Sequence, residues 1–195
     1  MSISLQKGQK VSLTKEAPGL SRIIVGLGWD AAEVKRGFFS PKPASIDCDA
    51  SALLFTNGKV VSNSDVVYFN NLRHISGSVN HCGDNLTGDG DGDDEQIKVD
   101  LSQVPAQYDK VMFVVTIYQA VEKKQHFGLI KNAYIRLVNE ATGQEVCRYN
   151  LSDNYDGMTA MLFGEVYRHN GEWKFNAMGQ GTTDPGIGQL AKRFM

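Results

Sequence analysis

The chain has 195 residues and a mass of 21.4 kDa, long enough for one well-buried core and short for two. Its 42% hydrophobic and 22% charged residues are those of an ordinary globular protein rather than a disordered one, and no apolar run approaches the roughly 20 residues of a membrane-spanning helix. A formal net charge of −2, with no Lys/Arg stripe interleaved with aromatics, argues against a nucleic-acid partner.

The N-terminus, MSISLQKGQKVSL, lacks both the apolar stretch and the small-residue cleavage site of a secretory signal, so a cytoplasmic protein is expected. Cys48, Cys82 and Cys147 are odd in number and widely spaced, which suits reduced thiols. Short runs rich in Val, Ile, Phe, Tyr and Thr, separated by Gly, Asn and Asp, then follow one another along the chain. They predict strands over Lys10 to Leu13, Arg22 to Gly28, Ser45 to Thr56, Lys59 to Ser62, Val66 to Asn70 and Gln96 to Leu101. Further strands are expected over Lys110 to Tyr118, Ala133 to Asn139, Glu145 to Leu151, Thr159 to Arg168 and Glu172 to Met178. Asn57-Gly58 and Asn170-Gly171 suit the positive φ angles of two-residue hairpin turns. Val111 to Ile117 does not alternate, which predicts a central strand covered on both faces. Gln96 to Leu101 alternates, which predicts a half-exposed one. Helix signals are confined to Leu101 to Tyr108, broken by Pro105, and the tail Gly188 to Met195. The expected fold is all-β: one domain over residues 1–195, a β-sandwich of two mainly antiparallel sheets with at most short helices.

Chemistry concentrates in one segment. Asp84 to Glu95 reads DNLTGDGDGDDE, with six carboxylates, three glycines and no Lys or Arg; without it the chain has 16 acidic against 20 basic residues. A pair of like charges about 6 Å apart costs roughly 0.7 kcal/mol even in water, so six in one loop repel one another unless a cation joins them. Hard dications such as Ca²⁺ take six to eight oxygen ligands from carboxylates, Asn side chains and carbonyls. Gly88, Gly90 and Gly92 supply the tight turning, Asp89, Asp91 and Asp93 alternate around it, and Asp94, Glu95, Asp84 and Asn85 flank it. Asp47 and Asp49, two apart in a strand-like segment, share a face, and Asp30 stands at a strand end. The EF-hand pattern fails twice: starting from Asp89, Asp94 occupies the Gly position and Asp100 the bidentate Glu position. The competing structural reading is a merely solvated Asp-Gly turn.

The motifs VGLGWD (Val25 to Asp30), DCDAS (Asp47 to Ser51), FNNL (Phe69 to Leu72), GDNLTGDGDGDDEQIKVDL (Gly83 to Leu101), FVVTIY, FGLIKNAYIRLVN and TAMLFGEVYRHNGEWKF (Thr159 to Phe175) resemble the TerD family of tellurite-resistance and stress proteins, over nearly the whole chain. The resemblance implies a bacterial calcium-binding β-sandwich with its ion sites at one end and no enzymatic activity, acting with other proteins of a tellurite-resistance or stress operon. Its calcium motifs fall here on Trp29-Asp30, on Asp47 and Asp49, and on Asp84 through Glu95. Departures from the family pattern are Ile46, Cys48, Leu86 and Asp89, none of which removes a carboxylate, together with Gln119 where Asp is common and a divergent tail over residues 182–195.

The sequence therefore leads to a non-enzymatic protein holding Ca²⁺, two ions, through Asp30, Asp47, Asp49, Asp84, Asn85, Asp89, Asp91, Asp93, Asp94 and Glu95, and serving as a calcium-dependent interaction or scaffold module. Two alternatives stay open. A calcium-dependent binder of membrane surfaces would use the ion to bridge an anionic headgroup. A metal-dependent phosphoester hydrolase is less favoured, because Mg²⁺ prefers fewer carboxylates and the chain has neither a nucleophile elbow nor a Walker loop.

Overall fold

The computed structural model of the chain describes residues 2–31, 46–83 and 92–195. Among these residues the strands are β1 (Ile3–Leu5), β2 (Lys10–Ser12), β3 (Arg22–Ala31), β4 (Cys48–Phe55), β5 (Val66–Val67), β6 (Val79–His81), β7 (Glu95–Asp100), β8 (Lys110–Ile117), β9 (Ile130–Asn139), β10 (Glu145–Asn150), β11 (Ala160–His169) and β12 (Glu172–Thr182). Three short helices join them: α1 (Leu13–Glu16), α2 (Ala120–Lys123) and α3 (Ile187–Lys192). The strands form two six-stranded sheets, ordered β1-β10-β9-β3-β7-β6 and β2-β12-β11-β8-β4-β5. Neighbours are antiparallel except β1, which pairs with β10 in parallel. The all-β expectation holds.

Alternation sets the core. Inward residues of the first sheet, among them Val25, Leu27, Ile97, Val99, Ile135 and Leu137, meet Ala50, Leu54, Val111, Phe113, Val115 and Phe163 of the second in one buried cluster. Each such aliphatic or aromatic side chain contributes about 1.5–3 kcal/mol by leaving water. β8 is buried along nearly its whole length, as its unbroken apolar run predicts, because the tail covers its outer face. Leu190 and Ala191 of α3, with Ile187 and Phe194 beside them, pack on Leu53, Phe55, Met112, Val114 and Leu162. β7 is half-exposed, again as its alternation predicts.

Both hairpin turns form, with Asn57 at φ 51° and Asn170 at φ 52°, each followed by a left-handed Gly. The strand expected over Lys59 to Ser62 does not form. Only the bridge Thr56↔Lys59 follows the turn, and the Val60 N–H donates instead to the Phe194 carbonyl at 2.8 Å, so the C-terminal tail takes the edge that a further strand would need. Leu101 to Tyr108 is a series of turns rather than a helix, since Pro105 removes a backbone donor from so short a run. The short strands β1 and β6 and the helices α1 and α2 were not legible, being only three or four residues each. A helix does form in the tail, as expected, over Ile187–Lys192.

Strand directions place the loops. β3 ends, β7 and β9 begin and β6 and β10 end at one pole of the first sheet; β4 and β11 begin and β8 ends at the same pole of the second. Four connections therefore gather there: β3 to β4, β6 to β7, β8 to β9 and β10 to β11. The acidic segment lies in the second of them.

The packing of the tail makes a measurable claim. Leu190 is fully buried, so Leu190→Ala should cost about 3 kcal/mol in urea unfolding; a loss below about 1 kcal/mol would show that α3 does not dock on the second sheet.

Candidate metal centre

Of the ten carboxylate and amide residues that the sequence singles out, Asp84, Asn85, Asp89 and Asp91 lie outside the described residues. The other six all stand at the loop pole. They do not converge on one point.

Three consecutive acids, Asp93, Asp94 and Glu95, mount the end of the acidic segment in three directions. Gly92, at φ 122°, takes a left-handed turn that suits glycine. Asp93 then folds over the outer face of the first sheet, where Gly26 leaves room for it; a Cβ at Gly26 would overlap its carboxylate, and one at Gly28 would overlap the Tyr134 ring. Arg136 grips that carboxylate with a two-pronged fork, Nε at 2.7 Å from Oδ1 and Nη2 at 3.0 Å from Oδ2. Gln96 Nε2 donates to Oδ2 at 3.0 Å. The Tyr134 hydroxyl lies 2.6 Å from the Gly92 carbonyl and 3.0 Å from Asp93 Oδ1. A carboxylate offers about four lone-pair directions, so Asp93 is occupied as an anchor. Burial, followed by the charge and hydrogen bond of Asp93, pushes the Tyr134 phenol up to about 12, which keeps it a donor. The Arg136 pKa is raised chiefly by its hydrogen bond to Asp93.

Asp94 continues the ladder, its N–H donating to the Leu27 carbonyl at 2.8 Å, while its Oδ2 accepts from the Trp29 N–H at 2.7 Å. Glu95 turns inward between the sheets. It accepts from the Ala50 N–H of β4 through Oε2, and His81 of β6 donates through Nε2 to the Ala50 carbonyl at 3.1 Å. Because Gly83 N–H donates to His81 Nδ1 at 3.1 Å, the pattern assigns the ring proton to Nε2. Two side chains of the first sheet thus satisfy both backbone groups of one residue in the second.

Asp49 lies on the outer face of the second sheet and is buried. Asp47 precedes it, its carbonyl accepting from Tyr118 N–H at 2.8 Å. The buried Cys48 between them registers the local field: burial pushes its thiol up most, and the charges of Asp49, Asp47, Glu95 and Asp94 push it further. Asp49 and Asp93 occupy opposite outer faces of two layers that pack about 10 Å apart, too far to share an ion whose ligands sit at 2.3–2.6 Å.

Asp30 and Asp94 belong together. They line a cleft of about 280 Å³ with Trp29, Gly92, Asn132, Tyr134 and Arg148. Asn132 Nδ2 donates to Asp30 Oδ2 at 2.7 Å. Among the described residues no group of three His, Cys, Asp or Glu side chains is placed to hold a metal by itself. The cleft nevertheless presents two carboxylates, an amide and a backbone carbonyl, and this oxygen set fits a hard dication better than zinc or copper, which favour nitrogen and sulfur. Arg136, Tyr134 and Ala50 were missed in the sequence because each lies more than 40 residues from the acid it holds. The alternating glycines of Gly26-Leu27-Gly28 were the available signal, since glycine inside a strand marks a close approach.

A protein-family model described as the TerD domain matches residues 1–194. The "Stress response protein SCP2" of Bacillus subtilis (strain 168) is 49% identical over the whole of both chains. The "Tellurium resistance protein TerD" of Serratia marcescens is 53% identical over 93% of this chain and 91% of its own. Among solved structures, a homologue of telluride resistance protein (TerD) from Streptomyces coelicolor A3(2) superposes with a TM-score of 0.62 at 24% identity, over 85% of this chain and 92% of its own, a likeness of fold.

The Asp93 anchor is testable by a double-mutant cycle in urea. The Arg136 side chain is 29% exposed and that of Asp93 only 1%, so Arg136→Gln should cost about 2 kcal/mol, between exposed and buried pairs. With Asp93→Asn and the double variant, the coupling should be about 1 kcal/mol or more; additivity would show that the fork does not act.

Proposed function

The chain belongs to the TerD family, and from that premise we propose that it is a calcium-binding stress or tellurium-resistance protein that acts through binding rather than catalysis. One observation carries this reading most directly. Strand ends of both sheets bring Asp30, Asp94, Asp47 and Asp49 to one pole, and the end of the acidic segment is fastened there by Asp93, Asp94 and Glu95, beside a cleft lined by Asp30, Asp94 and Asn132. The like charges of so acidic a segment repel one another, and a dication reverses the sign.

The geometry refines the ligand set. Asp93 and Glu95 serve as mounts; Asp30 and Asp94, with the donors of residues 84–91, would hold one ion, and Asp47 and Asp49 are placed to serve a second. When bound, calcium supplies charge neutralisation and order to the segment. In this reading the ordered pole is the surface that other proteins of the resistance system recognise.

Because the ion binds the folded form, stability should rise by RT ln(1 + [L]/Kd), about 2.7 kcal/mol at a hundredfold excess over Kd. For a chain of this size that corresponds to roughly 5–10 °C in Tm. Thermal unfolding in calcium, in magnesium and in chelator should show the gain with calcium foremost, reduced in Asp30→Asn and Asp94→Asn. Absence of any binding heat and of any Tm gain at millimolar calcium would refute the reading, and an equal response to magnesium accompanied by phosphoester turnover would replace it with the hydrolase.

A further inference from the structure

The tail covers only part of the second sheet's outer face, lying on residues of β4, β8 and the start of β11. Where β2, the start of β12 and the end of β11 run together, side chains reach solvent, and Lys10, Lys110, Tyr167, His169 and Lys174 are all half-buried or exposed. Lys110 and Lys174 flank Tyr167 as its direct partners on the two neighbouring strands. Lys10 Nζ lies 6.0 Å from the centroid of the same ring. The acids of this face are neutralised in place. Glu165 has Lys110 Nζ at 3.3 Å and accepts from Asn176 Nδ2 at 3.0 Å; Glu172 accepts from Ser12 Oγ at 3.0 Å and faces Lys15 Nζ at 3.7 Å. Lys10 and Lys174 have no carboxylate within ion-pair distance among the described residues, so the face keeps a surplus of two positive charges. Burial, followed by the charge of Glu165, pushes the Tyr167 phenol up, so it adds no anion.

The sign of this face does not depend on the acidic segment. Ala160 begins β11 at the loop pole and Tyr167 stands near its other end, about 23 Å away at 3.3 Å per residue. The Debye length is about 8 Å at physiological ionic strength, so charges at the pole, with or without a bound ion, are screened here. We propose that this face docks on an anionic lipid bilayer, and that it does so without calcium. The proposal goes beyond the calcium reading and does not rest on it. Charge complementarity is the driving term, since each Lys near an anionic leaflet is attracted to it. The lysines occupy neighbouring rows of a sheet surface, which suits a plane better than the groove or free strand edge that a peptide uses. A nucleic acid would stack its bases on open aromatic rings, but Tyr167 has Lys10 over it and His169 against it, with ring centroids 6.5 Å apart. A tyrosine among lysines, apolar in body and polar at the tip, suits the headgroup region.

Co-sedimentation of the full chain with phosphatidylcholine vesicles, with and without phosphatidylglycerol, in chelator and at low salt, tests this. Binding should require phosphatidylglycerol, persist without calcium and fall away as salt shortens the Debye length. Lys10→Gln and Lys174→Gln should each weaken partitioning about fivefold, the effect of one lysine at such a surface, and the double variant should lose more than either. Lys10→Arg with Lys174→Arg should retain binding, which separates charge from folding, and Lys98→Gln on the first sheet should leave it unchanged. No binding in chelator overturns the proposal, as does binding that survives in the double Gln variant. Binding that appears only with calcium overturns it too and moves the membrane contact to the loop pole. Association with poly-L-glutamate that is lost in the double Gln variant, without vesicle binding, overturns the lipid assignment and makes the partner an acidic polypeptide. Calcium heat should be the same in all these variants, so this proposal and the calcium reading fail separately.

Discussion

The arrangement of the loop pole depends on how Ala50 is satisfied. β5 pairs with β4 opposite Ala52 and Leu53, so among the described residues the earlier half of that strand edge has no neighbouring strand in its own sheet. Glu95 and His81 take the strand's place, one accepting from the Ala50 N–H and the other donating to its carbonyl. A buried backbone group left unpaired costs about 1–3 kcal/mol, so the two sheets are held in one mutual register at this pole. That register sets where β3 ends relative to β4, and with it which carboxylates can meet. Asp30 and Asp94 fall on the first sheet's side, Asp47 and Asp49 on the second's.

The same constraint explains how consecutive acids are tolerated. Asp93, Asp94 and Glu95 would repel one another strongly if they pointed into one space. Instead the chain distributes them: the first meets a guanidinium on the outer face, the second a backbone N–H at the end of β3, the third a backbone N–H in the opposite sheet. The first two charges are thereby stabilised by donors of the first sheet, on its outer face and at its end, and the third by a donor of the second sheet.

Much of this architecture was legible in the residues. The Asn-Gly turns, the unbroken run of β8 and the alternation of β7 follow from local stereochemistry and from which faces must be dry, so they were readable without a partner. The strand expected after Asn57-Gly58 was not, because its fate depended on Phe194, more than a hundred residues away, taking the Val60 N–H. The same logic divides the site. Its acids announce themselves by crowding, but the crowding cannot say which of them are mounts. That distinction needs Arg136, which reaches Asp93 only through the β3–β9 pairing of Gly26 with Arg136, and needs the absent Cβ of Gly26 to let the carboxylate lie against the sheet. β1 was illegible for a different reason: three residues paired in parallel leave no hairpin signal.

Placing two arginines opposite each other beside an acidic loop looks wasteful unless their roles differ. Arg136 has a stoichiometric partner in Asp93 and acts as a tethered cation, doing for one carboxylate what a free ion does for the others. Among the described residues Arg148 has a shared and distant carboxylate at 3.5 Å, and its position is secured by a ring stack and an amide. Of these two arginines one is spent on the fold, and the difference follows from a single geometric fact: Gly26 admits Asp93 to the neighbourhood of Arg136, and no corresponding acid among the described residues reaches hydrogen-bond distance of Arg148.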